Sequence, residues 1–191
     1  YFASDFSMPE MNLNLGDFTL NGALGLDKVE FGDLEGFSLD LSGIEFGIGE
    51  GASEIGVSDA LGNLVMTSAG IAGELSGNID IGSPGAQFGG DYTIAINTLS
   101  EDVSYDIAVG DFEYEVELPA GPYLKVSGKD AYIDLLGQRL SGDFSFEHAT
   151  NLAGDSITRV AVDSGHLQLG PTNSPVVELT DGFGWLIINE R

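Results

Sequence analysis

Carboxylates are the reactive group this chain holds in quantity. Asp and Glu number 31 against 6 Lys and Arg, for a net charge of −25. Their hard oxygens suit calcium, which gathers roughly six to eight oxygen ligands. The candidate calcium ligands are Glu101 and Asp102 with Asp106, and Asp33 with Glu35. Neither an EF-hand loop nor a Gly-Gly-x-Gly-x-Asp calcium-roll phrase accompanies them, and Gly89-Gly90-Asp91 holds only part of the latter. Glu113, Glu115 and Glu117 alternate, so on a strand they share one face at intervals of about 7 Å. Their expected use is a solvated face that discourages aggregation, with a cation-binding strip as the alternative. Paired carboxylates also hydrolyse glycosides, but that chemistry needs two groups converging across a cleft, and the sequence singles out no pair.

Other chemistries find less support. Gly56-Val57-Ser58-Asp59-Ala60 lacks the second glycine of a nucleophile elbow. The only histidines, His148 and His166, have no zinc-like spacing. Gly47-Ile48-Gly49-Glu50-Gly51 has no lysine or helix after it to hold phosphate, so a turn is expected there. Without cysteine there is no disulfide or thiolate chemistry. So few basic residues cannot neutralise a run of phosphates, which argues against nucleic acid. An anionic membrane surface would repel the chain, and no run of about 20 apolar residues provides a spanning helix. A non-catalytic chain with no cofactor beyond calcium is expected. Tyr1 opens no signal-like segment, so a piece of a longer protein is expected too.

The elements that carry these residues follow a period of two. Met11-Asn12-Leu13-Asn14-Leu15, Phe37-Ser38-Leu39-Asp40-Leu41, Tyr92-Thr93-Ile94-Ala95-Ile96 and the run from Phe112 to Leu118 alternate strictly. Alternation sends one side-chain set to a buried face and the other to solvent. About nineteen such short runs, roughly one per ten residues, give the cadence of an all-β protein. The 28 glycines fall mainly between runs, where turns need positive φ. The tyrosines are expected in the core, and Trp185 near an edge.

Phrases recur. Gly-Asp followed by an aromatic or Leu occurs at 16–18, 32–34, 90–92, 110–112 and 142–144. Glycine is expected to take the turn, Asp to bond nearby backbone, and the apolar residue to open the next strand. Phe88-Gly89-Gly90-Asp91-Tyr92 is echoed 52 positions on (140 minus 88) by Leu140-Ser141-Gly142-Asp143-Phe144. Ser42-Gly43 aligns with Ser164-Gly165, and Asp59 to Met66 with Asp181 to Ile188, both at an offset of 122 (164 minus 42, 181 minus 59). Such periods mark units that bury a shared core only when stacked.

The phrases Gly62-Asn63-Leu64-Val65-Met66-Thr67-Ser68-Ala69-Gly70-Ile71-Ala72-Gly73, Leu118 to Gly128 and Leu140 to Glu147 carry a family resemblance. Over roughly residues 37 to 188 the order resembles tandem repeats of giant secreted or surface proteins of aquatic bacteria, the LEPR-XLL type of planctomycetes among them. The resemblance implies an extracellular or cell-surface setting and brings no catalytic residues with it.

The expected fold is all-β, with short antiparallel strands and glycine-rich turns extended as a β-solenoid-like or wrapped sheet. Two β-sandwich domains are the alternative. One continuous region, 1–191, is expected; a split would fall at Leu99 to Asp102, giving 1–98 and 103–191. The expected function is a structural or adhesive segment of an exported surface protein, with a carbohydrate- or calcium-binding module as the alternative and a carboxylate-dependent glycoside hydrolase as a weaker one. Neighbouring repeats, surface glycans or other copies of the chain are the partners to expect.

Overall fold

A computed structural model describes residues 6–15, 18–31, 34–50, 53–83, 85–109, 112–150, 154–171 and 173–190. They form β1 (Phe6–Leu15), β2 (Phe18–Phe31), β3 (Leu34–Glu50), β4 (Ser53–Thr67), β5 (Gly70–Ser83), β6 (Ala86–Asn97), β7 (Val103–Val109), β8 (Phe112–Leu118), β9 (Tyr123–Leu135), β10 (Gln138–Thr150), β11 (Ser156–Leu169) and β12 (Val177–Glu190). The fold is all-β, as alternation requires. Ten strands pair in chain order into one open antiparallel sheet, β6 joining β9 directly, while β7 and β8 pair only with each other.

These strands are longer than the alternating runs that compose them, because β-bulges splice runs of opposite parity. In β3, Leu39 and Leu41 share a face with Ile44 and Phe46, an odd set followed by an even set. The extra residue, Gly43 at φ 55°, makes the switch. A register shift of this kind interrupts every ladder of the large sheet except β5–β6. Left-handed corners stand at Gly43, Asp59, Asp130, Ser164 and Asp181, all with φ of 50° to 55°. Gly22, Gly90 and Gly142, at φ 135°, 139° and 151°, sit opposite such corners on neighbouring strands. Asp tolerates the left-handed region better than most residues, which explains three corners without glycine.

The same geometry returns along the chain. In β3–β4, Leu41 faces Gly62, Ile44 faces Ala60 and Phe46 faces Val57. In β11–β12, Val162 faces Gly184, Gly165 faces Gly182 and Leu167 faces Leu179. First-strand positions differ by 121 (162 minus 41) and second-strand positions by 122 (184 minus 62) at each pair. Gly22 of β2 and Gly142 of β10 hold the equivalent place, 120 apart (142 minus 22). The left-handed partner of Gly43 is therefore Ser164, one position from the residue that sequence alignment pairs with it. At the shorter offset, the shift between Gly89 and Asp91 in β6 is matched between Ser141 and Asp143 in β10.

Two expectations change. Gly90-Asp91-Tyr92 and Gly142-Asp143-Phe144 lie inside β6 and β10, so their glycines serve bulges and not turns. At Gly90 an added Cβ would come within 2.6 Å of the Ala131 Cα, a second reason for glycine. The other Gly-Asp pairs lie outside the described residues. Gly47 to Glu50, expected in a turn, finish β3 and face Gly56 to Ser53 of β4.

A small core sits where the β7–β8 hairpin covers one end of the sheet. Val103, Val116, Leu118 and Leu99 are buried against Ala72, Ala95 and Tyr123, with Tyr105 and Ala149 beside them. Small residues on the sheet let the hairpin approach. Burying each of the four large aliphatic side chains contributes about 2 kcal/mol. Asn97, fully buried, anchors the connection: its Nδ2 donates to the carbonyls of Glu101 (2.9 Å) and Pro119 (2.8 Å), and its Oδ1 accepts from the Leu99 N–H (2.9 Å).

Candidate functional site: a two-faced sheet and its open edge

Residues opposite one another in a ladder share a face, so the registers sort every side chain to one of two sides. One side carries Asp40, Glu74, Asp91, Asp143, Glu147 and Asp163. The other carries Leu39, Leu64, Ile94, Val126, Phe146 and Val160, with comparable residues on all ten strands. Between the strand ends this second face has no Asp, Glu, Lys or Arg among the described residues. Lys28 and Glu35 pair at its rim, 3.1 Å apart. Contacts agree with the sorting: Phe88 stacks on Tyr92 at 5.6 Å on the apolar side, while Arg139 lies 4.2 Å over the Tyr132 ring on the acidic side.

On the acidic face the carboxylates brace the bulges. Asp143 Oδ1 accepts the N–H of the corner residue Asp130 (2.9 Å), and Asp163 Oδ1 accepts that of Ser164 (2.9 Å). Asp91 accepts from Asn78 Nδ2 at 2.9 Å. An open hollow of about 420 Å³ lies among Asp91, Lys129, Asp143 and Asp163. Its acids already hold backbone or amide donors, which suits structure more than general acid–base work. Glu147 pairs with Arg159 at 3.2 Å, and the buried Asn63 donates to both Ser38 and Asp40. Among the described residues no three His, Asp or Glu gather closely enough to hold a metal ion.

The described candidate calcium ligands fall in the β6–β7 connection, in β7 and in β3. Glu101 gives its backbone carbonyl to Asn97, Asp102 Oδ1 accepts the Ala120 N–H at 2.7 Å, and Asp106 lies exposed in β7 opposite Glu115. Glu35 pairs with Lys28 on another part of the sheet, and Asp33 lies outside the described residues. Glu115 and Glu117 are exposed on β8 while Val116 and Leu118 face the core. His148 meets Thr158 Oγ1 at 3.0 Å and His166 Nε2 lies 3.6 Å from Glu178.

The rings divide between faces. Tyr92 sits on the apolar side against Gly128, whose missing side chain makes room for it, and burial raises its pKa. Tyr123 is buried under the hairpin; burial, then Glu147 and Glu74, raise its pKa, with Arg159 opposing. Sequence reasoning missed both the breadth of the apolar face and Asn97. The first was legible only once registers were known. Nothing in the local pattern around Asn97 marks it.

The sheet's two edges differ. β1 carries Pro9 and a bulge between Met8 and Met11, both of which spoil an edge for further pairing. β12 ends the sheet with 14 residues, and from Phe183 to Asn189 it has no charge, proline or bulge. Phe183, Trp185 and Leu186 are 84%, 76% and 56% exposed. No family model, curated protein or solved structure matches the chain.

Proposed function

We propose that this chain is a non-catalytic structural segment of a large exported surface protein, built from copies of one β-unit. The observation that carries this reading is the return of the β2–β4 bulge geometry in β10–β12 at offsets of 120 to 122. Repetition with conserved register is what an array needs for each unit to dock on the next. The acidic face gives such an array charge to stay soluble. The apolar face supplies surface for packing against neighbouring units or other copies. At roughly 4.8 Å per strand it is about 45 Å wide, far broader than the apolar patches ordinary monomers leave open. The setting at a cell surface comes from the resemblance of residues 37 to 188 to repeats of giant bacterial surface proteins.

Small-angle scattering on the chain and on a tandem duplicate tests the reading. An array predicts a maximum dimension that grows by a fixed increment with the second copy. Two independently tumbling globules, with a broad distribution of distances between them, would refute it.

A further inference from the structure

Resting on the repeat reading above, we infer that the outer edge of β12 is a docking site for a strand with the pattern of β5, supplied by another copy of the unit. β4 is the internal template. β4 and β12 occupy equivalent places, with left-handed corners at Asp59 and Asp181, and β4 has its partner β5 in place.

Positions that are covered on β4 stand open on β12. Asn63 and Val65 of β4 are 3% and 4% exposed, whereas their counterparts Trp185 and Ile187 are 76% and 47% exposed. Gly62 is a slot. A Cβ there would run into the Glu74 carbonyl and come within 2.8 Å of Leu75 on β5. The counterpart Gly184 has nothing within 4 Å of where its Cβ would be, and its φ lies outside the left-handed range in which Gly62 stands at 151°, so the two share a register position and not a backbone slot. Transposing the β4–β5 register sets Leu75 of the incoming strand opposite Gly184, Ile71 opposite Ile188 and Ala72 opposite Ile187. Main-chain hydrogen bonds along the edge would supply affinity, and the pairing of Leu75 with Gly184 would set the register. The blunted β1 edge is a poor substitute occupant, because Pro9 has no N–H to give.

The test uses the whole chain and a synthetic peptide of residues Gly70–Ser83. Trp185 is the only tryptophan, so its emission reports on β12 alone. Saturating peptide should shift that emission and slow amide exchange about tenfold or more in residues 183–189, leaving β1 unchanged. G184V should weaken both effects several-fold while preserving the fold, since its side chain enters open space on the free chain and would crowd Leu75 of the docked strand. G184A serves as the milder variant, and a peptide carrying Leu75→Ala should bind more weakly. Absence of protection, equal binding by G184V, or protection of β12 that grows with protein concentration without peptide would overturn the inference. The last would mean that β12 pairs with itself. Scattering on the tandem duplicate does not involve the peptide. An extended array with no peptide binding would leave the repeat reading standing and remove only the edge assignment.

Discussion

Replacing Asn97 by alanine should release the β7–β8 cover from the sheet. The side chain makes three hydrogen bonds from a fully buried position, two to carbonyls and one from the Leu99 N–H. N97A strands all three groups. A buried polar group without a partner costs roughly 1–3 kcal/mol, and water can reach the two carbonyls more readily than the buried Leu99 N–H. The expected loss is therefore about 3 kcal/mol. It should fall on the cover first, because the ladders on either side of Asn97 keep their own hydrogen bonds. Urea unfolding gives the total, and amide exchange by residue gives its location. Exchange should quicken across Val103–Val109 and Phe112–Leu118 while β10 and β11 stay protected. N97D should do no better, since its carboxylate would face two carbonyls with nothing to donate. An unchanged urea midpoint and unchanged exchange in the hairpin would refute the idea that one amide holds the cover in place.

Other outcomes follow from the bulge row, the rings and the charge. Gly90→Ala should destabilise by about 2 kcal/mol or more in urea unfolding, because φ is 139° and the new Cβ meets the Ala131 backbone at 2.6 Å. Gly43→Asp should change stability by less than about 1 kcal/mol, because nothing lies within 4 Å of its Cβ and Asp already occupies equivalent corners. Tyr92 and Tyr123 have raised pKa values when folded, so their contribution is complete below the ordinary value of 10.0 and is lost as pH rises through the folded values. Thermal melts should therefore decline above about pH 10, with some tyrosine absorbance titrating late. A flat melting temperature there would count against burial of these rings. Raising salt from about 10 to about 150 mM should increase the melting temperature by screening self-repulsion; a decrease would contradict a face held under charge stress.

How much could be read from the residues depended on whether the signal was local. Alternation in stretches such as Phe37 to Leu41 announces strands, and an all-β antiparallel fold follows from it. Strand length was not legible, since a bulge at Gly43 or Asp59 reverses parity and looks like the end of one run and the start of another. Gly90 and Gly142 were visible as a pair, but a glycine needed at a bulge and one needed at a turn look alike in sequence. The partners of Asp102 and Glu35, the Ala120 N–H and Lys28, came from contacts that sequence proximity could not supply. The apolar face needed all nine ladder registers together. Trp185 stands at the edge because its strand is last in the sheet, which its exchange for Asn63 only hinted at.

Cross-strand proton contacts across the bulges measure the recurrence itself. Nuclear Overhauser effects should join Leu41 to Gly62 and Phe46 to Val57 and, in the second hairpin, Val162 to Gly184 and Leu167 to Leu179. Asp59 and Asp181 should both show the strong intraresidue amide–Hα contact of a left-handed backbone. A one-residue slip in either hairpin would exchange the faces of its strands and contradict both the recurrence and the two-sided distribution of charge.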